Sequence, residues 1–156
     1  MDTDDPRLAL AYSEGLRALE RQQQTVGEFA SRSGNLLYAA AIVAAFLGAI
    51  ALEDGSPSAW SWIAAGALAG VGGLHVVVLW PRWGWKFRFQ PQELLEEFVD
   101  RRATSLDEMR RDLIGRIQAD LDANLRVLRL MGLAFQLSSG FFLIETLAWL
   151  VAVADP

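Results

Sequence analysis

The acid Glu145 stands alone in an apolar stretch, the run from Leu130 to Ala154. At 1.5 Å per helical residue it lies about 22 Å from one end of that run and about 13 Å from the other. If the run crosses a bilayer, the carboxyl group must be protonated, face water or meet a partner. Two interpretations follow: a neutral acid held by Trp62, Ser139 or Thr146, or a ring of Glu145 lining a pore in a homo-oligomer.

Three further polar side chains, Asn35, His75 and Gln136, interrupt apolar runs near their ends. The same rise per residue places them roughly 5, 8 and 9 Å from those ends, one in each run. Side chains at one level can form hydrogen bonds between helices, so we expect a polar clasp that ties three helices together. The alternative is a proton or ligand site that uses the lone histidine, a residue type that commonly serves as a proton carrier or ligand.

The elements that carry these residues are three long uncharged or nearly uncharged segments, 34–52, 60–80 and 130–154. A membrane-spanning helix needs about 20 apolar residues, and each segment is long enough. Hydrophobic residues make up 53% of the 156 positions, which is high for a water-soluble domain. We therefore predict an all-α integral membrane protein, with a transmembrane hairpin over 34–80 and a third span over 130–154.

The first apolar segment does not fit a cleaved signal peptide, because more than thirty mostly polar residues precede it. In the second segment Gly66 and Gly70 form a GxxxG pair, a motif of small residues that allows close helix packing. We expect this pair to pack against the first span.

Positive charge is confined to two parts of the chain. All fourteen Lys and Arg residues lie between Arg7 and Arg32 or between Arg82 and Arg129. Cationic segments stay on the cytoplasmic side of a membrane. This predicts a cytoplasmic N-terminus, an external loop after the first span and an external C-terminus. The abundance of arginine and alanine suggests a bacterial protein of the inner membrane.

The stretch WPRWGWKFRFQP, residues 80–91, combines aromatic rings with cations directly after the second span. Such residues anchor helix ends at the membrane surface. The predicted interfacial anchors are Trp80, Arg82, Trp83, Trp85, Lys86 and Arg88. A nucleic-acid interface would show a similar mixture, but the net charge of −5 argues against it.

Segments 1–33 and 81–129 are predicted to be cytoplasmic, the first as an amphipathic helix and the second as an aromatic and basic linker followed by helices. Ser105 and Glu108 form a capping box that starts a helix, and this helix should continue without a break into the third span. The N-terminal seam comprises Tyr12, Leu16, Leu19, Gln23, Val26 and Ala30. The facing stripe comprises Leu106, Met109, Leu113, Ile117, Leu121, Leu125 and Leu128. We expect the two to pack as a helical bundle; the alternative is that both lie flat on the membrane.

Motifs of enzymes and metal sites are absent from the sequence. There is no cysteine, HExxH, Walker loop or GxSxG motif. We therefore expect a protein that is not an enzyme and that needs no cofactor or metal.

The succession GLRALERQQQTVGEFASRSGNLLYAAAIVAAFLGAIAL, an aromatic and basic linker, ATSLDEMRRDLIGRIQADLDANLRVLRL and a final span resembles a group of small uncharacterised bacterial membrane proteins. More distantly, the layout is similar to the SLATT and Pycsar-type transmembrane effectors of nucleotide-signalled antiphage defence. Those families have a two-helix membrane hairpin, and the third span here departs from that pattern. The resemblance implies a membrane protein that oligomerises and perturbs the membrane when a cytoplasmic signal arrives.

Together these features lead to two functional hypotheses. The first is a non-enzymatic, homo-oligomeric membrane protein that responds to a cytoplasmic protein or a small signalling ligand and forms or disrupts a permeation path. The second is a structural subunit that scaffolds a larger membrane complex. In both cases the lipid bilayer is a partner and nucleic acid is not.

Overall fold

The computed structural model describes residues 5–53, 55–80 and 105–154, and within these ranges the chain forms three α-helices. They are α1 (Pro6–Ala51), α2 (Ala59–Leu79) and α3 (Leu106–Ala154). Each contains a stretch long and apolar enough to cross a membrane. The prediction of three long apolar helices is confirmed.

The predicted interfacial segment lies largely outside the described residues. Of its anchors, Arg82, Trp83, Trp85, Lys86 and Arg88 belong to that part. Trp80 is described: it follows α2, its side chain is exposed, and its N–H donates to the Val76 carbonyl at 2.8 Å.

A serine caps the N-terminal end of α2 and of α3. The Glu108 N–H donates to Ser105 Oγ at 3.3 Å, and the Ser105 N–H donates to Glu108 Oε2 at 3.1 Å. The predicted capping box is therefore confirmed. At the start of α2, Ser58 Oγ accepts from the Ser61 N–H at 3.3 Å. Between α1 and α2, Gly55 has a φ of 79°, a backbone conformation that favours glycine.

Two of the helices are continuous over distances well beyond one membrane span. α1 has 46 residues and joins the predicted cytoplasmic helix to the first apolar segment without a break. α3 has 49 residues and runs from the capping box through the third apolar segment, as predicted. Both contribute to two compact units, one of residues 5–26 with 105–128, the other of 27–80 with 129–154.

In the first unit α1 packs against α3. A side chain at Gly15 would place its Cβ 3.0 Å from Ile117 Cγ2, so the glycine allows the close approach. The Gln22 Nε2 donates to the Leu121 carbonyl at 3.2 Å. α1 and α3 thus pack together in this unit, as expected, although Gly15 and Gln22 lie outside the predicted seam.

The residues that form this contact differ in part from the predicted ones. Gln22 faces α3, whereas Gln23 is exposed. On α3 the side chain of Asn124 is buried, whereas Leu106 and Leu125 are exposed. The predicted stripe advanced in repeated steps of four, which drift around a helix of 3.6 residues per turn, and so it left the buried face.

The second unit contains the apolar parts of all three helices. α1 and α3 run parallel here, since Phe29 lies against Phe135 near one end and Gly48 against Trp149 near the other. α2 runs antiparallel to α1. The core of the second unit consists of Ala64, Ala148, Trp149 and Ala152, with Val43, Ala44, Leu47 and Ala51 packed against it. Small residues dominate this core and bring the helix backbones close together.

The GxxxG pair does not pack as expected. A Cβ at Gly70 would lie 3.0 Å from the ring of Phe141 on α3, whereas nothing lies within 4 Å of a Cβ at Gly66. Gly70 thus serves contact with the third span rather than the first, and Gly66 stays open. Sequence spacing identified the motif but not the helix it meets.

We predict that Gly70→Val destabilises the chain much more than Gly66→Val. Both changes add the same β-branched side chain to the same helix, but only the first overlaps the Phe141 ring. The expected loss at Gly70 is roughly 1–3 kcal/mol of unfolding free energy. Thermal unfolding in detergent, followed by helical circular dichroism, measures the difference. Equal effects of the two substitutions would contradict the packing of Gly70 on Phe141.

Candidate functional site

One face of α3 in the second unit carries a row of buried residues spaced by seven. The row consists of Met131, Ser138, Glu145 and Ala152, all almost completely buried. Residues seven apart return to nearly the same face of a helix, with a drift of about 20°. Because two of the four are polar, this interior is not purely apolar.

Glu145 is the most unusual member of the row. Its side chain is 0% exposed, and neither carboxyl oxygen has a hydrogen-bond partner among the described residues. Ser138 Oγ and Trp149 Nε1 are likewise buried and without a partner in that part of the chain. Buried polar atoms in proteins are nearly always hydrogen-bonded, so three such side chains on one helix call for an explanation.

The side chains proposed to hold Glu145 are engaged elsewhere. Ser139 Oγ donates to the Phe135 carbonyl at 3.0 Å, and Thr146 Oγ1 donates to the Phe142 carbonyl at 2.9 Å. Both are bonds to the preceding turn of the same helix. Trp62 is 69% exposed. The described structure therefore gives Glu145 none of these three partners.

Two aromatic rings on α3 bracket Glu145. Phe141 and Trp149 lie four residues before and after it, on the same side of the helix. The Phe141 ring lies against Gly70, and the Trp149 ring lies 3.2 Å from the position of a Cβ on Gly48. Side chains on a helix lean toward its N-terminus, so Trp149 covers the turn that holds Glu145. Both rings thus pack against neighbouring helices within about one turn of the buried acid.

His75 has a different partner from those predicted. Its Nδ1 lies 2.9 Å from Ser33 Oγ, with the two atoms sharing a hydrogen bond. Asn35 and Gln136 are exposed, and the described residues give neither of them a side-chain hydrogen bond. The structure does not bring Asn35, His75 and Gln136 together.

Sequence reasoning missed Ser33, although a signal for it exists. Leu19, Ser33 and Ala40 are almost completely buried, and Val26 between them is half-buried. These positions are spaced by seven, so a period of seven along α1 would have placed Ser33 on the inner face.

Residues 5–53, 55–80 and 105–154 contain no group of three or more acidic or histidine side chains placed to hold a metal ion. The arrangement within the second unit offers a different kind of chemistry, a single carboxyl group enclosed by apolar and aromatic side chains. Such a group can take up and release a proton or act as the counter-charge of a cation.

No family model matches the chain, and no curated protein or solved structure is significantly similar to it. A function for this chain can therefore be inferred only from its own residues.

We predict that Glu145→Met stabilises the protein. Methionine fills a similar volume and removes two buried carboxyl oxygens that lack hydrogen bonds. Leaving a buried polar group unpaired costs about 1–3 kcal/mol, so the unfolding free energy should rise by that order. Denaturation in detergent measures it. The control Glu20→Met changes an exposed acid and should stay within about 0.5 kcal/mol of the original chain. A destabilised Glu145→Met variant would show that the carboxyl group makes favourable contacts.

Proposed function

We propose that the chain is a three-span protein of the bacterial inner membrane. Large apolar side chains that are exposed on the outer faces of the helices support this, because the exposure of such faces to water would be unfavourable. On α1 they recur every four residues at Tyr38, Ile42, Phe46 and Ile50, and Phe46 is 71% exposed. On α3 the exposed leucines are Leu133, Leu137, Leu143, Leu147 and Leu150. Lipid chains would cover these faces.

The proposed orientation follows from the distribution of cations. No Lys or Arg occurs between Glu53 and Trp80 or from Leu130 onward. The end of the second unit where α1 and α3 end and α2 begins would therefore face away from the cytoplasm. The opposite end, with Arg32 and Arg129, would be cytoplasmic.

The orientation can be tested by single-cysteine labelling, since the chain has no cysteine of its own. The positions Gln23, Ser56 and Ala154 are exposed. We expect a membrane-impermeant maleimide to label Ser56→Cys and Ala154→Cys on spheroplasts, and to label Gln23→Cys only after the membrane is opened. Labelling of Gln23→Cys and Ala154→Cys from one side would contradict the three-span arrangement.

We further propose that this protein is a non-enzymatic, homo-oligomeric effector whose spans provide a path for protons or small cations, with Glu145 as the group on that path. The observation that carries the proposal is the fully buried carboxyl group without a described partner. A buried charge or unpaired acid inside a membrane bundle is costly, and such residues commonly serve transport.

The burial of Glu145 also constrains how such a path could form. The acid faces the interior of its own chain, so a ring of Glu145 at the centre of an oligomer would require α3 to turn or the helices to separate. We propose that the helices of residues 5–26 and 105–128 receive a signal that favours this rearrangement. A ligand can shift such an equilibrium only by binding one arrangement more tightly than the other.

Proton flux into liposomes tests the proposal. We expect liposomes with the purified chain to dissipate a pH gradient faster than empty ones, and Glu145→Gln to lower the rate to that of empty liposomes. The substitution keeps the shape and removes the titrating group. The control Glu20→Gln, in an exposed position, should leave the rate unchanged.

Two results would contradict this function. The absence of flux above that of empty liposomes would exclude the path, and a monomeric mass in detergent would exclude the homo-oligomer. A stoichiometric protein partner that co-purifies with a flux-inactive chain would instead favour the scaffold hypothesis.

A further inference from the structure

The second unit contains a cavity of about 390 Å³ at the end where α1 and α3 end and α2 begins. Its lining includes Leu52 beyond α1, Ser61 and Trp62 on α2, and Trp149 on α3. Pockets for small organic ligands begin at about 300 Å³. The cavity is therefore large enough for one compact organic molecule.

Two indole rings form part of the wall. Trp62 is largely exposed and Trp149 is 5% exposed, so one ring is accessible at the rim and the other belongs to the core. The face of an indole ring attracts a cation, and tryptophan does so more strongly than other aromatic residues. An apolar cavity with two such rings suits a ligand that is both hydrophobic and positively charged.

The charges around the cavity favour the same class of ligand. Glu53 follows the lining residue Leu52, and Glu145 lies one helical turn from the lining residue Trp149. The sequence offers no Lys or Arg between Glu53 and Trp80 or after Leu130 to balance an anion.

The helix ends add to this preference. α1 ends at Ala51 and α3 at Ala154, so two negative C-terminal ends are near, against one positive N-terminal end of α2. That N-terminal end is capped by Ser58, which occupies the Ser61 N–H.

Glu145 does not itself line the cavity, but Trp149 does. Glu145 precedes Trp149 by four residues, so the two positions lie one turn apart on the same side of α3. Both the Trp149 Nε1 and the two carboxyl oxygens are buried without a hydrogen-bond partner among the described residues. A ligand cation at this ring would supply the opposite charge that the described surroundings of Glu145 lack.

We propose that this cavity is a binding site for a lipophilic organic cation, with Trp62 and Trp149 as the aromatic walls and Glu145 as the counter-charge. The inference deepens the proposed function and rests on it in one respect, because the cavity opens away from the cytoplasm only if the chain is inserted as proposed. The occupant must be compact and carry a charge that is delocalised or shielded by hydrocarbon.

Equilibrium dialysis of tetraphenylphosphonium against the purified full-length chain in neutral detergent tests the site. We expect saturable binding with one cation per chain. Tetraphenylborate has nearly the same shape and the opposite charge, and in a separate dialysis it should show no saturable binding. If the anion binds as tightly as the cation, the cavity selects for hydrophobicity alone and the inference is wrong.

Matched tryptophan variants locate the binding. Trp60 and Trp62 are both exposed on the first turn of α2, but only Trp62 lines the cavity. Trp62→Leu should weaken cation binding by roughly 3- to 30-fold, the range expected for loss of a cation–π contact. Trp60→Leu should leave the affinity unchanged. Equal effects at both positions would indicate binding to the detergent-covered surface and would overturn the proposal.

A separate variant tests the role of Glu145 in cation binding. Glu145→Gln should weaken binding at least as much as Trp62→Leu, and unchanged affinity would remove Glu145 from the site. These measurements need no membrane potential or transport. Cation binding without proton flux in liposomes would therefore refute only the proposed path, and flux without cation binding would refute only this inference.

Discussion

Two glycines allow the aromatic rings of α3 to lie directly against the neighbouring helices in the second unit. Gly48 receives Trp149 and Gly70 receives Phe141, with ring atoms close to the space that a Cβ would fill. These rings flank Glu145 at a distance of four residues on each side. The close packing of the helices around this part of α3 therefore depends on the absence of two side chains on other helices.

Three polar residues of α3 lie on its buried face. Helices that pack side by side over many turns keep contact through positions spaced by seven on average. On α3 the positions 117, 124, 131, 138, 145 and 152 are all buried. Asn124, Ser138 and Glu145 occupy this row. Ser138 and Glu145 have buried oxygens without a hydrogen-bond partner among the described residues, and Glu145 is the costlier because its carboxyl group must remain neutral or find a counter-charge.

The sequence allowed the helices to be predicted better than their facing residues. Length, hydropathy and the Ser105 capping box identified three helices and the continuity of α3, because these signals are local. The partners of His75 and Glu145 were predicted from depth along the helix axis alone. Depth says nothing of rotation, and each residue turns a helix by about 100°. The observed inner residues differ from the predicted ones by only one or two positions. They are Gln22 instead of Gln23, Asn124 instead of Leu125 and Ser33 instead of Asn35.

His75 and Glu145 show why an unsatisfied group is more informative than a rare one. His75 is the single histidine of the chain, and its Nδ1 already shares a hydrogen bond with Ser33. That atom therefore requires no further hydrogen-bond partner. Glu145 has two buried oxygens without a described partner, beside a tryptophan N–H in the same condition. A purely structural residue at this position would be replaced at a gain in stability. An acid at this position therefore costs packing stability, and the proposed proton path or bound cation would give its carboxyl group a role that packing does not.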